Sequence, residues 1–387
     1  MKYFLIEREE DYQRFVDENQ DISWLGLDTE FIGERRFFTS LCLIQLSTEK
    51  GNYIIDPLVY RDIPYVENLI QDPQVTLITH AGANDFKLLY QEFGIKPKSV
   101  FDLQIATAFL GLQYPISFKN LVEYFLDINL PKSHTVTNWE KRPISQSMAG
   151  YAVQDVESLG VLYKRISEEL DSLGRLQWCL DECSRYTVDS FFQKSQYPEV
   201  ENNSFFRKLR NREKLVYLKM LDWRLSEAIR INKPKESVMP VKTLNVLTRM
   251  YHMPDQHLKD DRRINPRVYD VFRRKIRVWV ESTNGAYDEK LKDIPEIHSN
   301  NDVQLDPNID LLSELIKMKC RDENVAPEMV ITKKAIKAIS TGMASGPFLH
   351  EQGWRKELLG PKLIEWIANP SLMQIEYQLE GDRFVIS

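Results

Sequence analysis

The chain has 387 residues, of which 43% are hydrophobic and 28% are charged, and its net charge at pH 7 is −6. This composition excludes a mainly disordered protein, and the length predicts two or three domains. No apolar stretch approaches the ~20 residues of a membrane helix, and the four cysteines are too scattered to indicate a zinc site. We therefore expect a cytoplasmic protein that does not bind membranes.

Strand-like and helical segments follow one another in the first half of the chain. The strand-like runs are 22–31, 41–46, 53–55 and 75–79, and the helical patterns are 84–93, 102–110, 117–125 and 147–173. This order predicts an α/β domain with a sheet and flanking helices, which we place at residues 1–195.

From about residue 204 the chain has helical patterns and no clear strand signal before its last residues. A stretch rich in turn-forming residues, 283–308, divides this half. We predict two small all-α bundles, at 205–285 and 300–387. The last residues, 374–386, alternate weakly, as in a strand or an ordered tail.

The charge is distributed unevenly between these parts. Residues 1–200 carry about −11, residues 201–280 about +11 and residues 281–387 about −6. A local surplus of this size indicates nucleic-acid binding, although a solvated helix face is the alternative interpretation. The residues that we predict to bind nucleic acid in this basic segment are Arg273, Arg274 and Arg277.

The most specific motif is Asp28-Thr29-Glu30, which lies within a predicted strand. Because side chains two residues apart in a strand share a face, Asp28 and Glu30 are expected to lie side by side. Neighbouring carboxylates are costly to bury unless they are paired or bind a cation. Hard divalent cations with oxygen ligands suit this arrangement.

Two further positions complete the candidate site. Asp85 stands at the start of a predicted helix, where a capping role is the alternative to metal binding. Tyr151 and Asp155 are four residues apart, so a helix would bring the phenol and the carboxylate to one face, although such pairs also arise by chance.

Taken together, these side chains predict phosphodiester chemistry. Four carboxylates could hold two divalent ions ~3.5–4 Å apart, a spacing that suits in-line attack of water. Tyr151 could orient or deprotonate that water. The predicted catalytic residues are Asp28, Glu30, Asp85, Tyr151 and Asp155, and the predicted metal ligands are the four carboxylates among them.

The order Asp28-x-Glu30, Asp85, Tyr151-x-x-x-Asp155 resembles the tyrosine-type DEDD exonucleases, and the surrounding sequence is similar to the ribonuclease D family. The similar stretches are 27–31, 41–46, 55–58, 80–89, 100–106, Lys132-Ser133, Trp139, Arg142-Pro143 and 151–155. The resemblance implies a ribonuclease H-like mixed sheet and a 3′–5′ exoribonuclease with two Mg²⁺ or Mn²⁺ ions. It also implies that the five residues play the roles given above.

The resemblance extends into the helical half. Residues 221–244 are similar to the helicase-and-ribonuclease-D C-terminal (HRDC) domain, and residues 309–368 resemble a more divergent second copy. The HRDC domain implies nucleic-acid binding. In the first domain, Phe31 could stack on a terminal base, with core packing as the alternative. His134, which lies in a predicted polar loop, could contact phosphate.

These observations favour a metal-dependent exoribonuclease that trims RNA 3′ ends, such as those of tRNA precursors. No glycine-rich phosphate loop is present, so we expect no use of ATP. The alternatives are a related 3′–5′ DNA exonuclease and a non-catalytic scaffold that binds nucleic acid. The carboxylates do not distinguish RNA from DNA, because that choice depends on contacts to the 2′-hydroxyl.

Overall fold

The computed structural model describes residues 2–130, 138–193, 196–201, 203–250, 255–262, 307–340, 353–378 and 383–386, with some single positions between 264 and 291. The chain divides into two compact units. The first unit contains the described residues of Met1–Glu30, Leu41–Phe192 and His298–Ser387, and the second contains those of Phe31–Ser40 and Gln193–Ile297.

A mixed β-sheet forms the centre of the first unit. Its strands are β1 (Phe4–Ile6), β2 (Trp24–Ile32), β3 (Ser40–Ser47), β4 (Asn52–Ile55), β5 (Thr76–Thr79) and β6 (Val100–Asp102). Among the described residues this six-stranded sheet has the order β1-β4-β3-β2-β5-β6. Strands β1 and β4, β2 and β5, and β5 and β6 pair in parallel, whereas β3 and β4 are antiparallel. The predicted α/β fold is confirmed, and β1 and β6 were not predicted.

Helices flank this sheet, and some of them begin or end at capping residues. They are α1 (Glu9–Glu18), α2 (Pro64–Gln71), α3 (Ala83–Phe93), α4 (Leu103–Ala108), α5 (Phe118–Leu126), α6 (Gln146–Gln154), α7 (Leu159–Ser172), α8 (Leu176–Cys183) and α9 (Asp189–Phe192). Ser117 and Ser145 cap α5 and α6 through their side chains, and Gly94 ends α3 in the left-handed conformation.

The predicted single helix over 147–173 is wrong, because the chain breaks between α6 and α7. The chain is closely packed around this break. Gly160 in α7 lies so close to the indole of Trp24 in β2 that a Cβ there would approach the ring to 2.4 Å. Val156, in the turn between the helices, is fully buried. The break leaves Asp155 at the end of α6 instead of in the middle of a helix.

The second unit is helical and has an apolar core of its own. Its described helices are α10 (Pro198–Glu201), α11 (Ser204–Arg207), α12 (Asn211–Ile231), α13 (Lys235–Val238), α14 (Val241–Met250) and α15 (Asp255–Asp260). Val216, Tyr217 and Leu244 are among its buried core residues. Arg224 is buried in α12, forms an ion pair with Glu236 and donates a hydrogen bond of 3.0 Å to the Lys235 carbonyl.

The described C-terminal residues belong to the first unit. They form α16 (Pro307–Asp322), α17 (Pro327–Val330), α18 (Lys333–Ser340), α19 (Gly353–Ala368, interrupted at Gly360) and the antiparallel strands β7 (Ile375–Gln378) and β8 (Arg383–Ile386). The Trp354 ring packs edge-on against Phe109, with centroids 4.8 Å apart. Glu182 accepts hydrogen bonds from the side chains of Trp354 and Arg355, at 3.1 and 2.7 Å.

A helical region therefore follows the sheet domain, as predicted. The proposed limits of three domains, 1–195, 205–285 and 300–387, stay predictions. None of the helices in the described part of the chain is both long and apolar enough to cross a membrane.

Candidate active site

Strand β2 places two carboxylates at the edge of the sheet where parallel strands end. Its pairing with β5 ends at Gly26, which lies opposite Ile78. Asp28 and Glu30 lie beyond this point and are both half-buried, whereas Thr29 between them is buried. The alternation of side chains along a strand places Asp28 and Glu30 on the same face, as the sequence predicts.

The turn between α6 and α7 brings a third carboxylate to this place. Oxygen atoms of Asp28, Glu30 and Asp155 all lie within 4.8 Å of one another. This convergence does not stabilise the folded chain by itself, because the like charges repel one another. Three residues that are far apart in the sequence thus form a concentrated patch of oxygen ligands.

Asp85 lies in the first turn of α3, directly after the carboxyl end of β5. The buried Asp102 holds the turn before α3 by accepting hydrogen bonds from the amides of Ala81 and Gly82, at 2.9 and 3.3 Å. The Thr29 hydroxyl donates a short hydrogen bond to the Asp85 carboxylate. Asp85 is therefore tied to the strand that carries Asp28 and Glu30, although it is not one of the three converging carboxylates.

Tyr151 lies on α6, one turn before Asp155, and is half-buried. Its ring packs against the buried Trp139, with centroids 6.0 Å apart and planes tilted by 35°. Burial, and then the charges of Asp155, Glu30 and Asp28, raise the pKa of the phenol to about 12. The phenol is thus close enough to sense all three converging carboxylates.

Without a cation, the pKa values of the four carboxylic acids lie above their usual values, so ionisation is unfavourable. Burial raises the pKa of Glu30 to about 8, with contributions from Asp155 and Asp85. Burial raises the pKa of Asp85 and of Asp155 to about 6. The pKa of Asp28 lies well above its usual value because of burial and then the charges of Asp85, Asp155 and Glu30. A bound cation would reverse this penalty.

An ion pair that the sequence did not reveal supports the segment before α6. Arg142 binds both carboxylate oxygens of the fully buried Asp56, with 2.6 Å between Nη2 and Oδ1. It also donates to the carbonyls of Trp139 at 2.6 Å and Cys42 at 2.9 Å. Arg142 thereby links the strands β3 and β4 to Trp139, whose ring supports Tyr151.

Of the five other predicted residues, the structure describes Phe31 alone. Phe31, in β2, has 41% of its surface exposed, so the core-packing alternative does not hold for it. His134, Arg273, Arg274 and Arg277 lie outside the described residues. Their predicted contacts with nucleic acid stay predictions, as do the catalytic roles of the five signature residues.

Comparison with known proteins identifies the family. The 3′–5′ exonuclease family matches residues 3–171. Ribonuclease D of Zymomonas mobilis is 30% identical over 370 residues, which cover 91% of this chain and 91% of that protein. The chain belongs to the ribonuclease D family. Ribonuclease D of Pseudomonas paraeruginosa is 27% identical over 353 residues, which cover 88% of this chain and 91% of that protein.

Among ribonuclease D structures, the crystal structure of the Escherichia coli enzyme has the same fold, with a TM-score of 0.81 at 22% identity. The match covers 94% of this chain and 98% of that one. The chain is thus a ribonuclease D-like 3′–5′ exoribonuclease, and the resemblance seen in the sequence is confirmed. The acidic cluster of Asp28, Glu30 and Asp155 agrees with the metal dependence typical of this family.

Proposed function

We propose that this exoribonuclease trims the 3′ ends of structured RNA, such as tRNA precursors, with two divalent cations, Mg²⁺ or Mn²⁺. Asp28, Glu30, Asp85 and Asp155 are the proposed cation ligands, and Tyr151 assists the attacking water. The observation that carries the proposal is the convergence of the Asp28, Glu30 and Asp155 oxygens within 4.8 Å of one another.

The chemistry of these side chains fits the proposed cations. Carboxylate oxygens are the ligands that Mg²⁺ and Mn²⁺ prefer. The raised pKa of Glu30, about 8, reflects a site that is unfavourable for several negative charges without a compensating positive one. Asp85 reaches the same edge of the sheet from α3, and its hydrogen bond with Thr29 supports its role as the fourth ligand.

Two divalent cations held by these carboxylates would lower the pKa of a bound water and neutralise negative charge on the leaving 3′ oxygen. The protein's own part is to fix the geometry. The carboxylates sit on a strand end and two helix ends, which are rigid supports. Tyr151, braced by the Trp139 ring at 6.0 Å, holds its phenol beside the carboxylates and orients the water by a hydrogen bond.

Two observations support structured RNA as the substrate. The Escherichia coli relative is described as an exoribonuclease involved in structured RNA processing. In this chain the basic segment 201–280, with about +11, follows a segment with about −11. An acidic domain repels a polyanion away from its cations, so a basic neighbour is needed to hold the body of the RNA.

The test uses an RNA hairpin with a single-stranded 3′ extension, labelled at its 5′ end, and a DNA hairpin of the same sequence. We expect stepwise shortening of the RNA from its 3′ end with Mg²⁺ or Mn²⁺ and none with EDTA. Equal or faster shortening of the DNA would support the DNA exonuclease alternative. Binding of both hairpins without any shortening would support the scaffold alternative.

A further inference from the structure

The loop between β2 and β3, residues 33–39, belongs to the helical second unit. It begins three residues after Glu30 in the sequence. The loop is closed on itself: the Arg36 amide donates a hydrogen bond of 3.3 Å to the Gly33 carbonyl. A Cβ on Gly33 would come within 3.0 Å of the Thr39 hydroxyl, so the two ends of the loop are in contact.

The side chain of Asn232, the residue that follows α12, holds this loop. The Oδ1 atom of Asn232 accepts two backbone hydrogen bonds, from the amides of Phe37 and Phe38, each at 3.1 Å. Asn232 itself ends α12 in the left-handed conformation, with φ 48° and ψ 51°. Glycine is the usual residue at such a helix end and asparagine is a tolerated one. Helix termination therefore does not require the side chain, whereas the two bonds to the loop do.

The loop presents groups that suit a nucleic-acid strand. The Phe38 side chain is 46% exposed, and the half-buried Phe37 packs edge-on against it, with centroids 5.0 Å apart. Arg35 and Glu34 are exposed, and Arg36 is half-buried. An exposed aromatic ring beside an arginine is the combination that binds bases by stacking and phosphates by charge.

We propose that Asn232 is a positioning residue that holds the 33–39 loop in the shape that binds single-stranded RNA. In that shape Phe38 stacks on a base and Arg35 contacts phosphate. This inference rests on the proposed function, because it requires that the chain acts on RNA. It adds that the helical unit shapes a binding loop, besides supplying basic surface.

The test is the binding of a 12-nucleotide unstructured RNA to the full chain in EDTA, where no cleavage is expected. Asn232→Gly keeps the left-handed helix end and removes both hydrogen bonds to the loop. We expect it to weaken binding about fivefold or more, the lower end of the range for losing two neutral hydrogen bonds, because both bonds are solvent-exposed. The control is Asp127→Gly, which places glycine at the left-handed end of α5, φ 56°, and removes one negative charge. Because losing a negative charge does not weaken the binding of RNA, this variant should bind at least as tightly as the wild type.

A double-mutant cycle decides whether Asn232 acts through the loop. Phe38→Ala should weaken binding by about fivefold or more, as expected for one lost stacking contact. If Asn232 acts by holding the loop, Asn232→Gly should reduce RNA affinity clearly less in the Phe38→Ala background than in the wild type. Fully additive effects would overturn the inference, as would a wild-type affinity for Asn232→Gly.

Hydrogen exchange gives a readout that does not depend on RNA. The amides of Phe37 and Phe38 should exchange faster in Asn232→Gly than in the wild type and in Asp127→Gly. Unchanged exchange would show that Asn232 does not hold the loop. The proposed function fails separately: a wild-type chain that binds the 12-mer but shortens no RNA with Mg²⁺ would contradict the proposed function and leave these binding results standing.

Discussion

Thr29 donates a hydrogen bond from its buried side chain to the carboxylate of Asp85, 56 residues further along the chain. Thr29 stands between Asp28 and Glu30 in β2, and Asp85 stands in the first turn of α3. One hydroxyl therefore links the strand and the helix that carry the candidate metal ligands. This hydrogen bond also lowers the pKa of Asp85 against the effect of burial.

The first prediction follows from this hydrogen bond. Thr29→Val removes the hydroxyl at nearly constant volume, so the Asp85 carboxylate loses one of its hydrogen-bond donors and its pKa rises further. Loss of a group that supports a metal ligand typically costs about 10- to 100-fold in metal affinity or activity. We expect the Mg²⁺ concentration for half-maximal rate to increase by a factor in this range. Thr29→Ser is the control, and it should stay close to the wild type; equal Mg²⁺ requirements in the two variants would contradict the prediction.

The second prediction concerns the converging carboxylates. Asp28→Asn and Asp155→Asn should each nearly abolish RNA cleavage, because each removes a ligand charge from the proposed cation site. In EDTA both variants should unfold at a higher temperature than the wild type, because the repulsion among the carboxylates is reduced. Asp21→Asn, an exposed position just before β2, is the control for the exchange itself. A variant that keeps a rate within a few-fold of the wild type at saturating Mg²⁺ would exclude the assignment.

The third prediction is the pH dependence of the metal-free protein. The pKa values of Glu30 (about 8), Asp85 and Asp155 (about 6 each) lie above their usual values near 4. Between about pH 4 and pH 8 the folded chain thus retains protons that the unfolded chain has released. These three groups therefore lower the free energy of unfolding as the pH rises through this window.

We expect the unfolding temperature in EDTA to fall from pH 5 to pH 8.5, and the stabilisation by Mg²⁺ to grow over the same range. Glu30→Gln removes the group whose pKa rises to about 8. Its unfolding temperature should therefore fall less steeply than that of the wild type between pH 6.5 and pH 8.5. The same slope for both proteins in EDTA would show that these carboxylates do not control stability.

The parts of the site that depend on short-range periodicity could be predicted from the sequence. Alternation along a strand gave the shared face of Asp28 and Glu30, and helical spacing gave that of Tyr151 and Asp155. The helix break at Asp155 could not be predicted, because the helical pattern of residues 147–173 runs through it without interruption. Local sequence around Asp155 contains no proline that would have marked it.

Long-range contacts and very short elements were also beyond the sequence. Arg142 and Asp56 are 86 residues apart, and no sequence pattern predicts their ion pair. Strands β1 and β6 have three residues each, too few for an alternation to stand out. Asn232 illustrates a third limit, because its helix-ending role is readable from the sequence whereas its contact with the 33–39 loop is not.

The fourth prediction concerns Tyr151. In the metal-free protein its pKa of about 12 keeps the phenol protonated at neutral pH, so it can donate a hydrogen bond to a water. Tyr151→Phe should lower kcat by about 10²–10⁴, the usual range for a positioned proton-transfer group, with little change in Mg²⁺ affinity. The control is Tyr163→Phe, which removes a phenol from α7, where the ring packs edge-on against Phe101. Similar rates for the two variants would make Tyr151 a packing residue.

The fifth prediction concerns the basic segment 201–280. If its surplus of about +11 holds RNA, binding should weaken steeply with salt, because each phosphate contact releases counterions. Replacing Arg273, Arg274 and Arg277 together with Gln should reduce the slope of log affinity against log salt by about 2–3, or about 0.7–0.9 per contact. Binding is measured in an Asp28→Asn background with the RNA hairpin, in EDTA, at several salt concentrations.

The control for this charge loss lies in the acidic C-terminal segment. Replacing the exposed Lys334, Lys337 and Lys362 with Gln changes the net charge by the same amount. Residues 281–387 carry about −6, so we do not expect this acidic segment to contact the phosphates of the RNA. The triple lysine variant should therefore keep the wild-type slope of log affinity against log salt. If the two triple variants had equal slopes, the salt dependence would reflect overall charge alone. In that case the arginines of the basic segment would not be the residues that hold the RNA.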